Sequence, residues 1–306
     1  MEWNYTVCVH EIDELLNPSE AFGDIMIDYS YPECSSACLQ ALLLTATAAR
    51  KEDTAQAKSL ARRCSSAALR ALQFLLDKQH KDGSWCGAWA VCFTYATWFG
   101  CAGVAAAVVE LSQSANVRSR RVRSLIARCD TSLHQAASFI LSIERQGSKQ
   151  EEEEEEEEEG SERVFSGGGW GEDVDSCARR EHIGIGANES AQVVQTAWAM
   201  LALISVLKGM NAADAGARRI RSGIPGVGSG RLEPSHRELR KRIAAALRRG
   251  ARALVSLQQS DGDFPQQRVT GIFNQTVAIC YPNYRNAFPT WALAEYALIC
   301  GEKNFP

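Results

Sequence analysis

Three stretches of this chain follow one plan: an apolar-periodic segment, a glutamine, and a tight turn that ends on an aromatic ring. They read "ALQFLLDKQHKDGSW" from Ala71 to Trp85, "AASFILSIERQ" resuming at "GGGW" from Ala136 to Trp170, and "ALVSLQQSDGDF" from Ala253 to Phe264. Apolar positions recur at helical spacing in each, and Asp-Gly or Gly-Gly then stops the helix. A second helix-like segment follows every turn: "AVCFTYATWFGCAGVAAAVV", "SAQVVQTAWAMLALISVL" and "NAFPTWALAEYALI". A degenerate helix–turn–helix repeat predicts an all-α array whose units bury their faces on one another. No alternating strand pattern competes with it. Trp85 and Trp170 belong to the turns and are expected to staple neighbouring helices; Phe264 takes that place in the third unit and fills most of the space.

An uncharged run extends from Gly83 to Val109, where Trp85, Trp89, Phe93, Tyr95, Trp98 and Phe99 crowd together. Its length would admit a membrane span. Gly87, Thr94, Thr97 and Gly100 interrupt it, and the turn at Asp82-Gly83 opens it. A helix apolar on all sides is also what the interior of a large protein requires, so this segment reads as an inner helix.

Charge excludes some functions. The formal net charge of -4 gives no general attraction for nucleic acid. The basic stretch Arg218 to Arg252 contains no Phe, Tyr or Trp to stack on bases, so no nucleic-acid partner is expected. The 11 cysteines include no Cys-x-x-Cys pair, and "MEWNYTVCVHEIDE" is not a signal peptide, which together suggest reduced thiols facing the cytosol. His10, His80, His134, His182 and His236 stand isolated, without zinc-type spacing, so no metal site is expected. Two polar insertions interrupt the repeats: residues 147–167, with the acidic block Glu151 to Glu159, and the basic glycine-rich residues 209–237, read as an extended connection.

The strings "KQHKDGSW" and "GGGWGEDVDSC" resemble the QW motifs of the triterpene cyclases. "LLNPSEAFGDIMIDYSYPECSSA", "GAWAVCFTYATWFG" and "GIFNQTVAICYPNYRNAFPTWALAEY" sharpen the likeness to the C-terminal part of an oxidosqualene cyclase of the lanosterol and cycloartenol synthase family. The likeness runs from about Leu15 to Tyr296 apart from the insertions, within a domain expected over residues 15–306, and leaves residues 1–14 unmatched. It implies an incomplete α/α barrel (toroid) of QW-type repeats. It also implies an isomerase that needs no cofactor and cyclises (3S)-2,3-oxidosqualene by a carbocation cascade. A monotopic protein on the endoplasmic reticulum membrane or a lipid droplet is the implied setting.

By motif position the resemblance assigns Cys34 to the support of the initiating acid, as a thiol that stabilises its carboxylate. Trp89 and Phe273 fall on aromatic positions facing the substrate cavity, where a ring face stabilises a passing cation by ~2 kcal/mol or more when desolvated. Tyr281 and Tyr284 fall at or near the same site, with Tyr95 beside them, and Phe22 and Ile25 match the apolar neck where substrate enters. Asp24, Asp28 and Glu33 are expected to cap or pair rather than do acid chemistry, and Asp173 and Asp175 to cap a helix.

One departure is large: no Asp-Cys-Thr-Ala-Glu string, which carries the proton donor in that family, occurs in the 306 residues. The expectation is a C-terminal fragment inactive by itself, with the N-terminal half of the enzyme as its partner. An alternative is a non-catalytic α/α module that binds lipid or scaffolds a partner. A protein prenyltransferase-like barrel would need an Asp/Cys/His zinc site, against which the isolated histidines argue.

Overall fold

A computed structural model describes residues 30–145, 168–186, 189–221, 234–273 and 277–301. Among the described residues eight helices follow in order: α1 (Pro32–Ala49), α2 (Ala55–Lys78), α3 (Cys92–Gln113), α4 (Arg120–Ser142), the short α5 (Asp175–Arg179), α6 (Val193–Arg221), α7 (Pro234–Leu257) and α8 (Tyr284–Cys300). A small hairpin, β1 (Gly271–Phe273) and β2 (Val277–Ile279), precedes α8. It pairs antiparallel with Ile272 opposite Ala278. Strands of three residues carry too little pattern to be read from sequence.

The long helices pack in two rows. α1, α3, α6 and α8 are successive neighbours in one, while α2, α4 and α7 back them in the other. Sequence explains which helix lies where. On α2 the buried residues Ala57, Ala61, Cys64, Ala68, Leu72 and Leu75 form a single stripe at helical spacing. By contrast α3 is buried on every side, from Cys92 and Phe93 through Trp98 to Val108. Helices α3 and α6 are each long and apolar enough to cross a bilayer, yet 78% and 83% of their most apolar windows are buried inside the protein. The aromatic run at Trp85 to Phe99 is therefore core and inner helix, as its interruptions predict. At the two ends of the inner row, Leu44 on α1 and Leu298 on α8 remain exposed, at 73% and 82%.

The repeat is visible atom by atom at the turns. Gln79 and Gln258, at the ends of α2 and α7, each donate from Nε2 to the carbonyl four residues on, of Gly83 and Gly262, at 2.9 Å. Gly83 and Gly262 sit at φ of 95° and 87°, a region that admits glycine with little strain. The aromatic residues that follow are buried: Trp85 and Trp170 fully, and Phe264 with 2% exposure. The indole N–H of Trp85 donates to the Leu75 carbonyl and that of Trp170 to the Ile140 carbonyl, both at 2.8 Å. Phe264 takes the corresponding place in the third turn, and its ring has no N–H to donate.

One reading is corrected. Residues 209–221 do not form an extended connection: α6 continues through them to Arg221, and α7 has already begun at Pro234. The alanines of "GMNAADAGARRI" favour the helix, and its two glycines serve contact instead of termination. A Cβ on Gly209 would lie 2.5 Å from Leu133 Cδ1, and one on Gly216 would lie 2.9 Å from Ser112 Oγ. The 147–167 insertion and residues 1–14 lie outside the described residues, as do Phe22, Ile25, Asp24 and Asp28.

Candidate functional site

The hairpin fixes the first part of the site. Val91 N–H donates to the Thr270 carbonyl at 2.9 Å and Ile272 N–H to the Trp89 carbonyl at 3.3 Å, so the segment before α3 runs alongside β1. That pairing sets Trp89 against Phe273, edge to face, with centroids 4.9 Å apart. Tyr31 approaches Trp89 from the start of α1 at 6.0 Å. Tyr281 lies against Gly271, where a Cβ would meet its ring at 2.3 Å, so only glycine lets the ring approach this closely. It stacks on Tyr284 at 4.7 Å.

From Tyr284 the aromatic surface continues across the inner helices. Phe288 is 4.9 Å from Tyr284 and 5.3 Å from Trp198, and Tyr95 lies 4.9 Å from Trp198. Most of these contacts are tilted or T-shaped, the arrangements that ring quadrupoles favour. Such rings offer a cation polarisable faces without a nucleophile to trap it. Trp89, Phe273, Tyr281 and Tyr284 are half-buried, Tyr95 is buried, and Cys34 in the first turn of α1 is exposed. The structure thus gathers Trp89, Phe273, Tyr281, Tyr284 and Tyr95 on neighbouring elements and adds Trp198, Phe288 and Tyr31, which sequence reasoning missed. The available signal was weak: Trp198 sits in the apolar helix "AQVVQTAWAMLALISVL", where one more ring reads as core.

Glu33 is the carboxyl in this region. It is 4% exposed. Its Oε1 accepts from the Ala88 N–H at 2.6 Å and the Trp89 N–H at 3.2 Å, while its Oε2 is buried with no hydrogen-bond partner. Glu33 therefore does cap backbone, as expected, but across 55 residues and next to Trp89. Burial raises its pKa above the ordinary 4.5, outweighing the hydrogen bonds that pull it down. Burial likewise pushes the Tyr95 phenol upward, with the Glu33 charge adding to it. Tyr95 therefore stays neutral at physiological pH.

The raised Glu33 pKa makes a stability prediction. Below the unfolded value both states hold the proton and nothing is lost; as pH rises from about 4.5 through the folded value, the unfolded chain ionises more readily and stability falls. Glu33→Gln keeps an acceptor for both N–H groups and removes this slope. The stability of wild type minus that of the variant should decline from pH 4.5 toward neutrality in urea titrations. Parallel profiles at every pH would show that the carboxyl is not strained by burial.

Asp173 and Asp175 behave as helix-start residues. Asp173 Oδ1 accepts from the Asp175 N–H at 3.0 Å, and α5 begins there. Asp173 also pairs with Arg268, whose guanidinium reaches Glu189 at 2.7 Å. The residue between them and Trp170, Glu172, does more, since its carboxylate caps α3 from another part of the chain. The reading of the histidines as isolated does not survive folding: His134 and His236 come within 4.3 Å, ring centre to ring centre.

The chain is similar along most of its length to known proteins. The family profile described as the squalene-hopene cyclase C-terminal domain matches residues 25–128. Human lanosterol synthase is 32% identical over 290 residues, covering 95% of this chain and 29% of the relative. Cycloartenol synthase of Dictyostelium discoideum is 32% identical over 283 residues, 92% of this chain and 29% of the relative. Alpha-onocerin synthase of Lycopodium clavatum is 29% identical over 292 residues, 95% of this chain and 28% of the relative. The chain spans under a third of the length of each of these relatives.

Proposed function

We propose, on the premise that this chain is related along most of its length to the C-terminal part of the oxidosqualene cyclases, that it supplies one wall of a cavity in which (3S)-2,3-oxidosqualene is folded and cyclised. The observation that carries the reading is the meeting of Trp89 with Phe273 at 4.9 Å beside the Tyr281–Tyr284 stack. Those rings come from segments far apart in sequence, and each occupies a position that the family resemblance assigns to the cavity. The product is of the lanosterol or cycloartenol type. Tyr95, Tyr281 and Tyr284 orient the wall, and the aromatic faces stabilise successive cationic centres as positive charge migrates along the folded substrate.

The chemistry needs a proton donor to open the epoxide. The resemblance assigns Cys34 to the support of such a donor, but the 306 residues contain no Asp-Cys-Thr-Ala-Glu string to supply it. These residues alone therefore do not start the cascade, and the acid comes from a segment outside them. Association with a membrane surface of the endoplasmic reticulum or a lipid droplet follows from the same resemblance and from the insolubility of the substrate.

Purified chain incubated with (3S)-2,3-oxidosqualene should give no cyclised product on gas chromatography–mass spectrometry. The chain joined behind a cyclase segment that carries the Asp motif should give a tetracycle. A tetracycle from the chain alone would overturn the need for an outside acid. An inactive but folded joined protein would overturn the cyclase reading and favour a lipid-binding module.

A further inference from the structure

Away from the aromatic wall, three metal-competent side chains converge where α4 meets α7. Asp130 and His134 lie four residues apart on α4 and so share one face of it. His236 comes from the first turn of α7, a helix packed beside α4. His236 Nε2 stands 3.3 Å from Asp130 Oδ2, and His134 Nε2 stands 4.0 Å from Asp130 Oδ1. One donor atom from each residue can be chosen so that all three lie within 4.8 Å of one another.

Two further observations point to a ligand. Asp130 Oδ1 and His134 Nε2 are buried and have no hydrogen-bond partner. Both are of the kind a metal ion satisfies, a carboxylate oxygen and an imidazole nitrogen. The spacing is also close to what is needed, since ligands bound at ~2.0–2.1 Å in a tetrahedral site lie ~3.3 Å apart. The Asp130–His236 distance of 3.3 Å already meets it, while His134, at 4.0 Å from Asp130, has to move closer to join it. The three side chains retain 20% to 24% exposure, which leaves a path to solvent. Asp82 and Gln135 line the same pocket, and Asp82 Oδ1 is engaged there by the Ser84 N–H and hydroxyl. Arg240 approaches His134 and opposes a cation, but its guanidinium is held by Asn211 Oδ1 at 2.6 Å and Asp214 Oδ2 at 2.7 Å.

We propose that Asp130, His134 and His236 bind a divalent transition metal of the zinc class, tying the start of α7 to α4 and leaving one coordination position for water. Two imidazoles and one carboxylate suit zinc and cobalt and exclude a preference for calcium or magnesium, which want oxygen ligands throughout. The site lies on the α4–α7 side of the fold and does not depend on the proposed cyclase activity.

Cobalt(II) serves as a visible probe. The purified, metal-stripped chain should bind one cobalt ion with ligand-field absorption but without a thiolate-to-metal charge-transfer band. His134→Asn and His236→Asn should each weaken binding at least as much as the loss of an outer-shell partner does, on the order of 10–100-fold. Replacing the exposed Cys34, Cys38 and Cys280 with serine should leave binding unchanged. Zinc should raise the Tm of the wild type and not that of the double histidine variant. If a histidine variant fails to fold by circular dichroism, Asp130→Asn carries the same test with a smaller change in shape. Cobalt binding unaltered in these variants, or dominated by a thiolate band, would overturn the proposal.

Discussion

Replacing Trp85 with alanine should lower the unfolding free energy by about 3–5 kcal/mol, the range for deleting a large aromatic side chain from a packed interior. The ring is fully buried, and its indole N–H donates to the Leu75 carbonyl at 2.8 Å. Its backbone N–H donates to Thr97 Oγ1 at 3.1 Å, so one residue ties the end of α2 to the first turns of α3. The fit is tight enough that a methyl group on Gly100 would lie 2.5 Å from the indole ring. Alanine would open a cavity and leave the Leu75 carbonyl without its donor. Trp85→Phe should fall between the two, because it retains the ring and loses the N–H; Phe264 already occupies the third turn on those terms. Urea unfolding followed by far-UV circular dichroism measures this without relying on the altered tryptophan. A loss under about 1 kcal/mol for Trp85→Ala would mean that the turn aromatics do not hold the repeats together.

Glu172→Ala is the second large effect, expected on the order of 3 kcal/mol or more, because it strips the acceptor from several buried donors at once. The residue preceding α3 is Val91, which offers no side-chain cap. Glu172 supplies it from 80 residues away: Oε1 accepts from Cys92 and Phe93 at 3.0 and 2.9 Å, and Oε2 accepts from Thr94 at 3.0 Å. With 2% exposure, little water can take over. The negative charge also sits where the helix dipole is positive. Glu172→Gln keeps one acceptor but turns an N–H₂ toward an N–H, so its loss should be smaller and still clear. Hydrogen exchange at Cys92, Phe93 and Thr94 should accelerate in the alanine variant beyond what the global loss explains. Wild-type stability and protection in that variant would show that α3 does not need this cap.

Local chemistry made the turns legible. A glutamine, a glycine and an aromatic residue within seven positions specify a capped, left-handed turn whose partners are near in sequence, and Gln79, Gly83 and Trp85 do what that pattern implies. The caps of α2 and α4 are of the same local kind, with Thr54 accepting from Ala57 and Ser119 from Val122. The α6 extension failed as a reading for an instructive reason. Glycines at 209 and 216 look like breakers in one dimension, yet they are where helices come closest in three.

The candidate site divides in the same way. Strings such as "GAW" and "CYPNY" pointed to Trp89, Tyr281 and Tyr284 as site candidates only through resemblance. Phe273 reaches Trp89 only because β1 pairs with the chain ahead of α3. "GEDVDSC" offers three acids and does not say that the first turns inward to cap α3 while the second meets Arg268.

The sequence by itself determined the helical repeat, the buried turn aromatics and the inner position of Trp85 to Phe99, because helical periodicity and turn chemistry act over a few residues. The tertiary structure decided that Glu33 is buried beside Trp89, that Glu172 caps a distant helix, and that His134 meets His236 across 102 residues. Each of those depends on how one helix is rotated against another, and that rotation is set by the packing of the whole array, not by any short stretch within it.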